Sequence, residues 1–445
     1  MGQFETEDFL IVPLSPIHVG GGDEAKLGLE NYRVRGDQLE RVNLRRLLLQ
    51  ENMAGMNLQG AFQQQSFDRL REKAEPEDIE ERIRLAPASA NELSKGSSPA
   101  LRQGRVDGFQ RSGGKPVLPG SSIKGAFRTA WLAHCSDPST RVRSHNDLVE
   151  QSFALPRSND TDADPFRDVF VSDTVIPAGS TQIDQIFAWK KDRDGGWSRQ
   201  NTGQMHWELL RSVANGGRPP LLELRIGVRN SDVRQRRRQL DASKAPSRSP
   251  TSLDALLDAV NAHHFPIWQE DLRRFFKKND QRLLRSFKLL EHFLSNDNRG
   301  GALVRIGRGG HAESKSIKSF RKIAIRNPKT RETRSADYGT TRQIVSVGNE
   351  PVTLGWALLV RKAAWKAPSA WLPEPASSVD ASNQSNTERP ITQQTVLYRK
   401  GQRVLLADGE SATMLEDLTQ GMKDVRVDIA GDTEVVSADE IERAK

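Results

Sequence analysis

Cysteine is nearly absent: Cys135 is the single one among 445 residues. That excludes a disulfide framework and any zinc site built on cysteine pairs, and it fits a reducing compartment. No run approaches the about 18 apolar residues that a membrane span needs. The first residues, Met1-Gly-Gln-Phe-Glu-Thr-Glu-Asp, have neither the basic start nor the apolar stretch of a secretory signal. A cytoplasmic, soluble protein is expected. Other motifs are incomplete. The acidic run Asn159-Asp-Thr-Asp-Ala-Asp164 lacks the central glycine and terminal glutamate of an EF-hand loop, so no metal or other cofactor is expected. Around Lys315-Ser316 the Walker pattern fails because Ser314 stands where glycine is required, and the dinucleotide fingerprint fails at Ala312.

What is present is length and a basic balance. The chain is long enough for two or three domains, and its net charge of +8, with a pI near 9.6, favours a polyanionic partner. The 66 basic residues only modestly outnumber the 58 acidic ones, so charge alone points weakly.

In chain order, Phe9 to Val12 is a short apolar run that Pro13 and Pro16 follow, which reads as a bent edge strand ending at Gly20-Gly-Gly22. Residues 31–35 and 38–42 alternate like a hairpin about Gly36-Asp37, and Asn43 is placed to cap a helix over 44–50. Residues 105–110 and 116–118 are expected to pair across a Gly113-Gly114 turn. Residues 134–164 read as a polar loop, 168–176 and 182–189 as a hairpin, and 221–228 as another strand. Arg234 to Arg238 fits either a phosphate-tracking segment or a solvated linker. Ser252 precedes apolar residues at helical spacing through Leu294, a helical hairpin. Strands are expected at 302–306 and 352–360. This order is α+β, of the kind that RRM-like or ferredoxin-like units with helical insertions give.

Two glycine-bearing stretches carry the candidate site. In Pro116 to Trp131, Pro119-Gly120 forces a turn, and Ser121 or Ser122 is placed to cap a helix bearing Ile123, Phe127, Ala130 and Trp131 on one face. Open N–H groups at that helix start, with Lys124 and Arg128 nearby, suit a phosphate, although any capped helix with a solvated face shows the same pattern. In the second stretch Gly307, Gly309 and Gly310 let backbone approach a ligand, and Arg305, Arg308, His311 and Lys315 ring the turn with donors. A flexible turn is the plainer reading. His18, between a strand and three glycines, is the obvious general acid or base if there is one, but no second histidine or tyrosine is spaced to join it.

Residues 120–130, Gly-Ser-Ser-Ile-Lys-Gly-Ala-Phe-Arg-Thr-Ala, resemble the G-S-S-[IL]-K-G-[AV]-[LFI]-R motif of the RAMP proteins of CRISPR effector complexes. Leu14-Ser-Pro-Ile-His-Val-Gly-Gly-Gly22 is similar to their N-terminal "SPIHIGSG" segment, and residues 302–315 to their glycine-rich loop. With Phe170-Val-Ser-Asp-Thr174 between and Pro351 to Trp356 after, the order is most similar to the fifth-subunit family of type III-A (Csm) complexes, over residues 8–362.

The resemblance implies two ferredoxin-like units with insertions, at 1–230 and 231–372, and a protein that holds guide RNA (crRNA) without chemistry. Gly120, Ser121, Ser122, Lys124, Arg128, Arg305, Gly307, Arg308, Gly309, Gly310, His311 and Lys315 would then contact RNA. It implies a place capping the filament near the guide's 3′ portion, beside the backbone RAMP subunit and the small helical subunit. It also implies help in trimming that end, by recruiting host nucleases, during antiviral defence. The alternative is a metal-independent endoribonuclease for repeat RNA, acting through His18. Beyond a polar linker at 373–392, residues 393–445 read as five short strands, a small closed all-β barrel resembling KOW or Tudor modules.

Overall fold

A computed structural model of the chain describes residues 4–49, 72–94, 106–191, 197–200, 205–240, 248–276, 279–294, 300–326 and 333–375, together with short strands between 396 and 442. The expected linker lies almost wholly outside these residues, as do residues 60–71. Two compact units are separated, residues 1–378 and 379–445.

In the first unit the elements that build the site are, in order, strand β1 (Phe4–Pro13), strand β2 (Lys115–Leu118), helix α1 (Gly120–Cys135), strands β3 (Val169–Val171), β4 (Thr181–Lys191), β5 (Met205–Leu210) and β6 (Leu222–Arg229), helices α2 (Leu253–Asp271) and α3 (Gln281–Leu290), strand β7 (Gly301–Arg305), the short helix α4 (His311–Lys315), and strands β8 (Thr341–Val347) and β9 (Trp356–Arg361). Five of these strands form an antiparallel sheet in the order β7-β9-β1-β6-β3. The proposed halves 1–230 and 231–372 share it, with β7 and β9 of the second joined edge to edge to β1, β6 and β3 of the first.

β1 is therefore a central strand and not an edge. Pairing with β9 runs from Phe9 to Pro13, so the first proline falls only at the last residue of the ladder. Period-two alternation then divides its side chains between two cores. Phe9 and Ile11 pack with Ile123, Phe127, Leu256 and Val260 of α1 and α2. Val12 and Leu14 pack on the opposite side with Trp207, Trp268 and Trp356. That second core is closed by a larger sheet in which β4 pairs with β5 and β8, continued by strands over 26–42, 79–85 and 106–107.

Local sequence rules hold where no distant partner intervenes. Asn43 accepts from the Arg46 amide at 2.9 Å, Ser252 from the Ala255 amide at 3.1 Å, and the 32–35/38–42 hairpin forms. Pairings decided at long range differ from the expectation. β3 joins β6, whereas β4 joins β5 in the other sheet, so the two are not a hairpin. Val106–Asp107 pairs with β5, while β2 pairs with Arg111–Ser112 and with Thr174–Val175. The polar stretch 134–164 contains a helix, His145–Phe153, capped by Ser144. Arg234 lies on a helix, Ser231–Leu240, and its guanidinium is tied to the carbonyls of Pro250 and Thr251, which removes it from a free phosphate-tracking segment.

In the second unit a five-stranded antiparallel sheet runs in the order 432–437, 424–429, 411–414, 403–406, 441–442, and 396–398 pairs with 418–419. Residues 393–445 carry seven lysines and arginines against eleven aspartates and glutamates, the reverse of the balance of the whole chain. No described helix is long and apolar enough to cross a membrane.

Candidate functional site

The segment after β1 and the loop after β7 are joined through the backbone. The Gly307 φ of +80° places its Cα so close to the His18 carbonyl that a Cβ would stand 2.2 Å from that oxygen. Only glycine fits there. The next amide, Arg308 N–H, then donates to the same carbonyl at 2.8 Å. Farther along, the Ile306 amide donates to Gly355 O and the Gly355 amide to Pro16 O. Three sequence segments thus meet on one side of a groove of about 900 Å³.

One helix face supplies the other wall. Ser122, Gly125, Ala126 and Thr129 recur at i, i+3, i+4 and i+7 on α1, and all four line the groove. Asp107 and His206 close it from the second sheet. The Arg308 guanidinium lies 2.5 Å from Asp107 and 4.5 Å above the Trp207 ring, with about half its side chain exposed. Lys315, at the end of α4, is exposed. Burial lowers its pKa, and the nearby Arg305 and Arg308 lower it further; no carboxylate among the described residues opposes them. An ammonium with no ion-pair partner among the described residues favours an incoming anion.

Arg305 itself is not available to a phosphate, which corrects the expectation. Its side chain is fully buried, with Nη1 2.9 Å from Asp271, Nε donating to Leu354 O and Nη2 to Gly309 O. Asp271 also receives Arg342 at 3.1 Å and the Tyr338 hydroxyl, and Arg342 reaches Glu313 at 3.1 Å. This buried network holds the glycine loop and α4 in place. Although burial disfavours the Arg342 charge, Asp271, Tyr338 and Glu313 outweigh that and raise its pKa. His311, at φ +56°, turns its ring inward and accepts from the Gln343 amide at 3.3 Å, and burial pulls its pKa well down. It too supports the loop.

The first motif is divided by its own helix. Lys124 and Arg128 lie off the Ser122–Thr129 face and line a separate depression with Asp162, Asp164 and Arg167. There Arg128 donates to Asp164 at 2.8 Å and lies over the Phe153 ring. Burial lowers the Lys124 pKa, with Asp164 opposing. Nor is the helix start open. The helix begins at Gly120 with no serine cap, and the Gly120 amide donates to the Asp173 carboxylate at 2.7 Å. Asp173 thus supplies the anion expected from outside. A side chain at Gly120 would strike Val171 O at 2.3 Å, so this glycine serves close packing against β3. Ser121 is exposed, and Ser122 faces the groove.

His18 is wholly buried in the groove wall. Its Nδ1 lies 2.8 Å from the Glu208 carbonyl, its ring stacks on Trp207, and burial pulls its pKa below the ordinary value. The sequence reading missed Asp107, His206 and the small-residue face of α1; only the spacing of Ser122, Gly125 and Thr129 offered a signal. Among the described residues no group of three or more histidine, cysteine, aspartate or glutamate side chains is placed to hold a metal ion.

No curated protein matches the sequence. A chain of a solved Csm–crRNA–target RNA ternary complex from a type III-A CRISPR-Cas system superposes with a TM-score of 0.57 at 16% identity, over 80% of this chain and 100% of that one. Csm5 of T. onnurineus aligns at 15% identity with a TM-score of 0.48, over 79% of this chain and 99% of that one. At these identities the first likeness is one of fold. The family model of the RAMP superfamily matches residues 11–310, which include His18, the α1 face and Gly307, and the chain belongs to that superfamily.

Proposed function

We propose that this protein is a guide-RNA-holding subunit of a type III-A CRISPR (Csm) effector complex and grips the ribose-phosphate strand along the groove between α1 and the glycine loop. The observation that carries the reading is Lys315, an exposed ammonium in the lining of that groove with no ion-pair partner among the described residues. Such cations fix a strand by its phosphates without reading its bases. Membership of the RAMP superfamily supports it, as does the fold shared with a chain of a Csm–crRNA–target RNA complex.

In this reading β9-β1-β6-β3 is a ferredoxin-like unit. Its strands follow the fourth-first-third-second order, with α1 between first and second and α2 between third and fourth. The acidic C-terminal unit is a small barrel-like appendage that meets protein and not RNA. The subunit stands beside the backbone RAMP subunit and the small helical subunit, caps the filament near the guide's 3′ portion, and supports trimming of that end by host nucleases. It binds without cutting.

The test is a titration of the full-length chain with labelled single-stranded RNA at several salt concentrations, and a separate incubation with repeat RNA in EDTA. Salt-sensitive binding without cleavage is expected. Discrete cleavage that disappears in His18→Ala would overturn the assignment in favour of an endoribonuclease.

A further inference from the structure

The wall of the groove contains a hydrogen-bond acceptor with nothing to accept from. His18 Nδ1 faces the Glu208 carbonyl at 2.8 Å. A carbonyl only accepts, so Nδ1 carries the proton and Nε2 is a bare lone pair. That Nε2 is buried and has no hydrogen-bond partner among the described residues. The space beside it is kept by Gly20, where a Cβ would stand 3.1 Å from Nε2. Burial also lowers the pKa of the ring, so the lone pair is not taken by a second proton near neutrality. His206, in the same wall, presents a second buried nitrogen without a partner. Leaving such a group unsatisfied is costly, and a site that does so selects for a ligand that donates there.

Resting on the proposed RNA-holding function, we infer that His18 Nε2 accepts a hydrogen bond from a ribose 2′-hydroxyl and so distinguishes RNA from DNA in this groove. The sugar is favoured over a base amine for two reasons. The His18 carbonyl is bonded to the Arg308 amide and both side chains lie against the Trp207 ring, so the imidazole is near a cation proposed to hold phosphate, and the 2′-hydroxyl is the ribose donor next to a phosphate. Among the described residues no phenylalanine, tyrosine or tryptophan lines the groove, and splayed bases are held largely by stacking on such rings.

The full-length chain is titrated with one labelled single strand in three forms: all-ribose, 2′-fluoro, which keeps the sugar shape but cannot donate, and 2′-deoxy. Loss of one hydrogen bond predicts about fivefold weaker binding of the 2′-fluoro and deoxy forms. In Gly20→Ala, whose added methyl fills the approach to Nε2, the ratio of ribose to 2′-fluoro affinity falls to about one. Equal binding of ribose and 2′-fluoro strands by the unaltered chain overturns the inference while leaving RNA holding intact. So does a preference that follows base identity when the sequence is varied at constant sugar. Failure to bind any strand overturns the holding function and this inference together.

Discussion

The carbonyl of His18 and the amide of Arg308, 290 residues apart in the chain, share a hydrogen bond of 2.8 Å. It fastens the N-terminal segment to the glycine loop and sets where the Arg308 side chain emerges. Gly307 is the condition for that contact. Gly307→Ala is expected to destabilise the protein by about 2 kcal/mol or more, from the positive φ and the collision with His18 O. It should also weaken RNA binding. Thermal unfolding with and without RNA measures both, and a melting temperature unchanged from the parent would refute the placement of the loop.

The groove cations and the cations on the other side of α1 should behave differently. Arg308→Ala with Lys315→Ala is expected to lower the slope of log affinity against log salt by up to about 1.4, two phosphate contacts on a single strand. Lys124→Ala with Arg128→Ala should leave the slope as it was, because those side chains line the depression beside Asp162 and Asp164. A reversal of these two results would move the strand to the other face of the helix.

Asp271 balances Arg305 and Arg342, and all three side chains are buried. Asp271→Asn leaves two buried guanidinium groups undercompensated and is expected to cost about 3–5 kcal/mol in denaturant unfolding. Lys26→Ala, which removes an exposed pair with Asp23, should change stability by less than about 1 kcal/mol.

Burial pulls His206 and His263 each down to about 4. In the unfolded chain both titrate near the ordinary histidine value, so the folded state binds fewer protons between these limits. Stability is therefore full above about pH 6.5 and falls as the pH drops toward 4, by up to about 2 kcal/mol per histidine at pH 5. His263→Phe should flatten this part of the curve. Unfolding free energies at pH 7 and pH 5 decide it, and an unchanged difference between the two pH values would show that His263 is not held neutral.

A chain ending at Ser378 loses the acidic unit. Its RNA affinity is expected to stay within about twofold of the full chain, because a net negative unit adds no phosphate neutralisation. A fall beyond tenfold would place RNA on the C-terminal strands.

Much of the local structure was legible in the residues. Asn43 and Ser252 cap the helices they precede, because a side-chain oxygen and a nearby amide meet within one turn. The loop glycines were legible too, as positions where backbone had to come close. What could not be read was the object approached: at Gly120 it is a neighbouring strand, and at Gly307 the carbonyl of residue 18. Arg305 looked like a phosphate ligand because its partner, Asp271, is 34 residues away on another element. Lys124 and Arg128 looked like neighbours of Arg308 because spacing along a helix says which residues share a face, but not what that face meets.

Short-range interactions, completed within a few bonds, made the caps, the helical faces, the alternation of β1 and the family motifs properties of the sequence itself. Strand partners were decided by tertiary structure. β1 is central because strands ending at residues 229 and 361 both find it, and a ladder has no preference for nearby sequence once the chain has closed on itself. The same closure decided which cations were neutralised from within and which, like Lys315, line the groove with no ion-pair partner among the described residues.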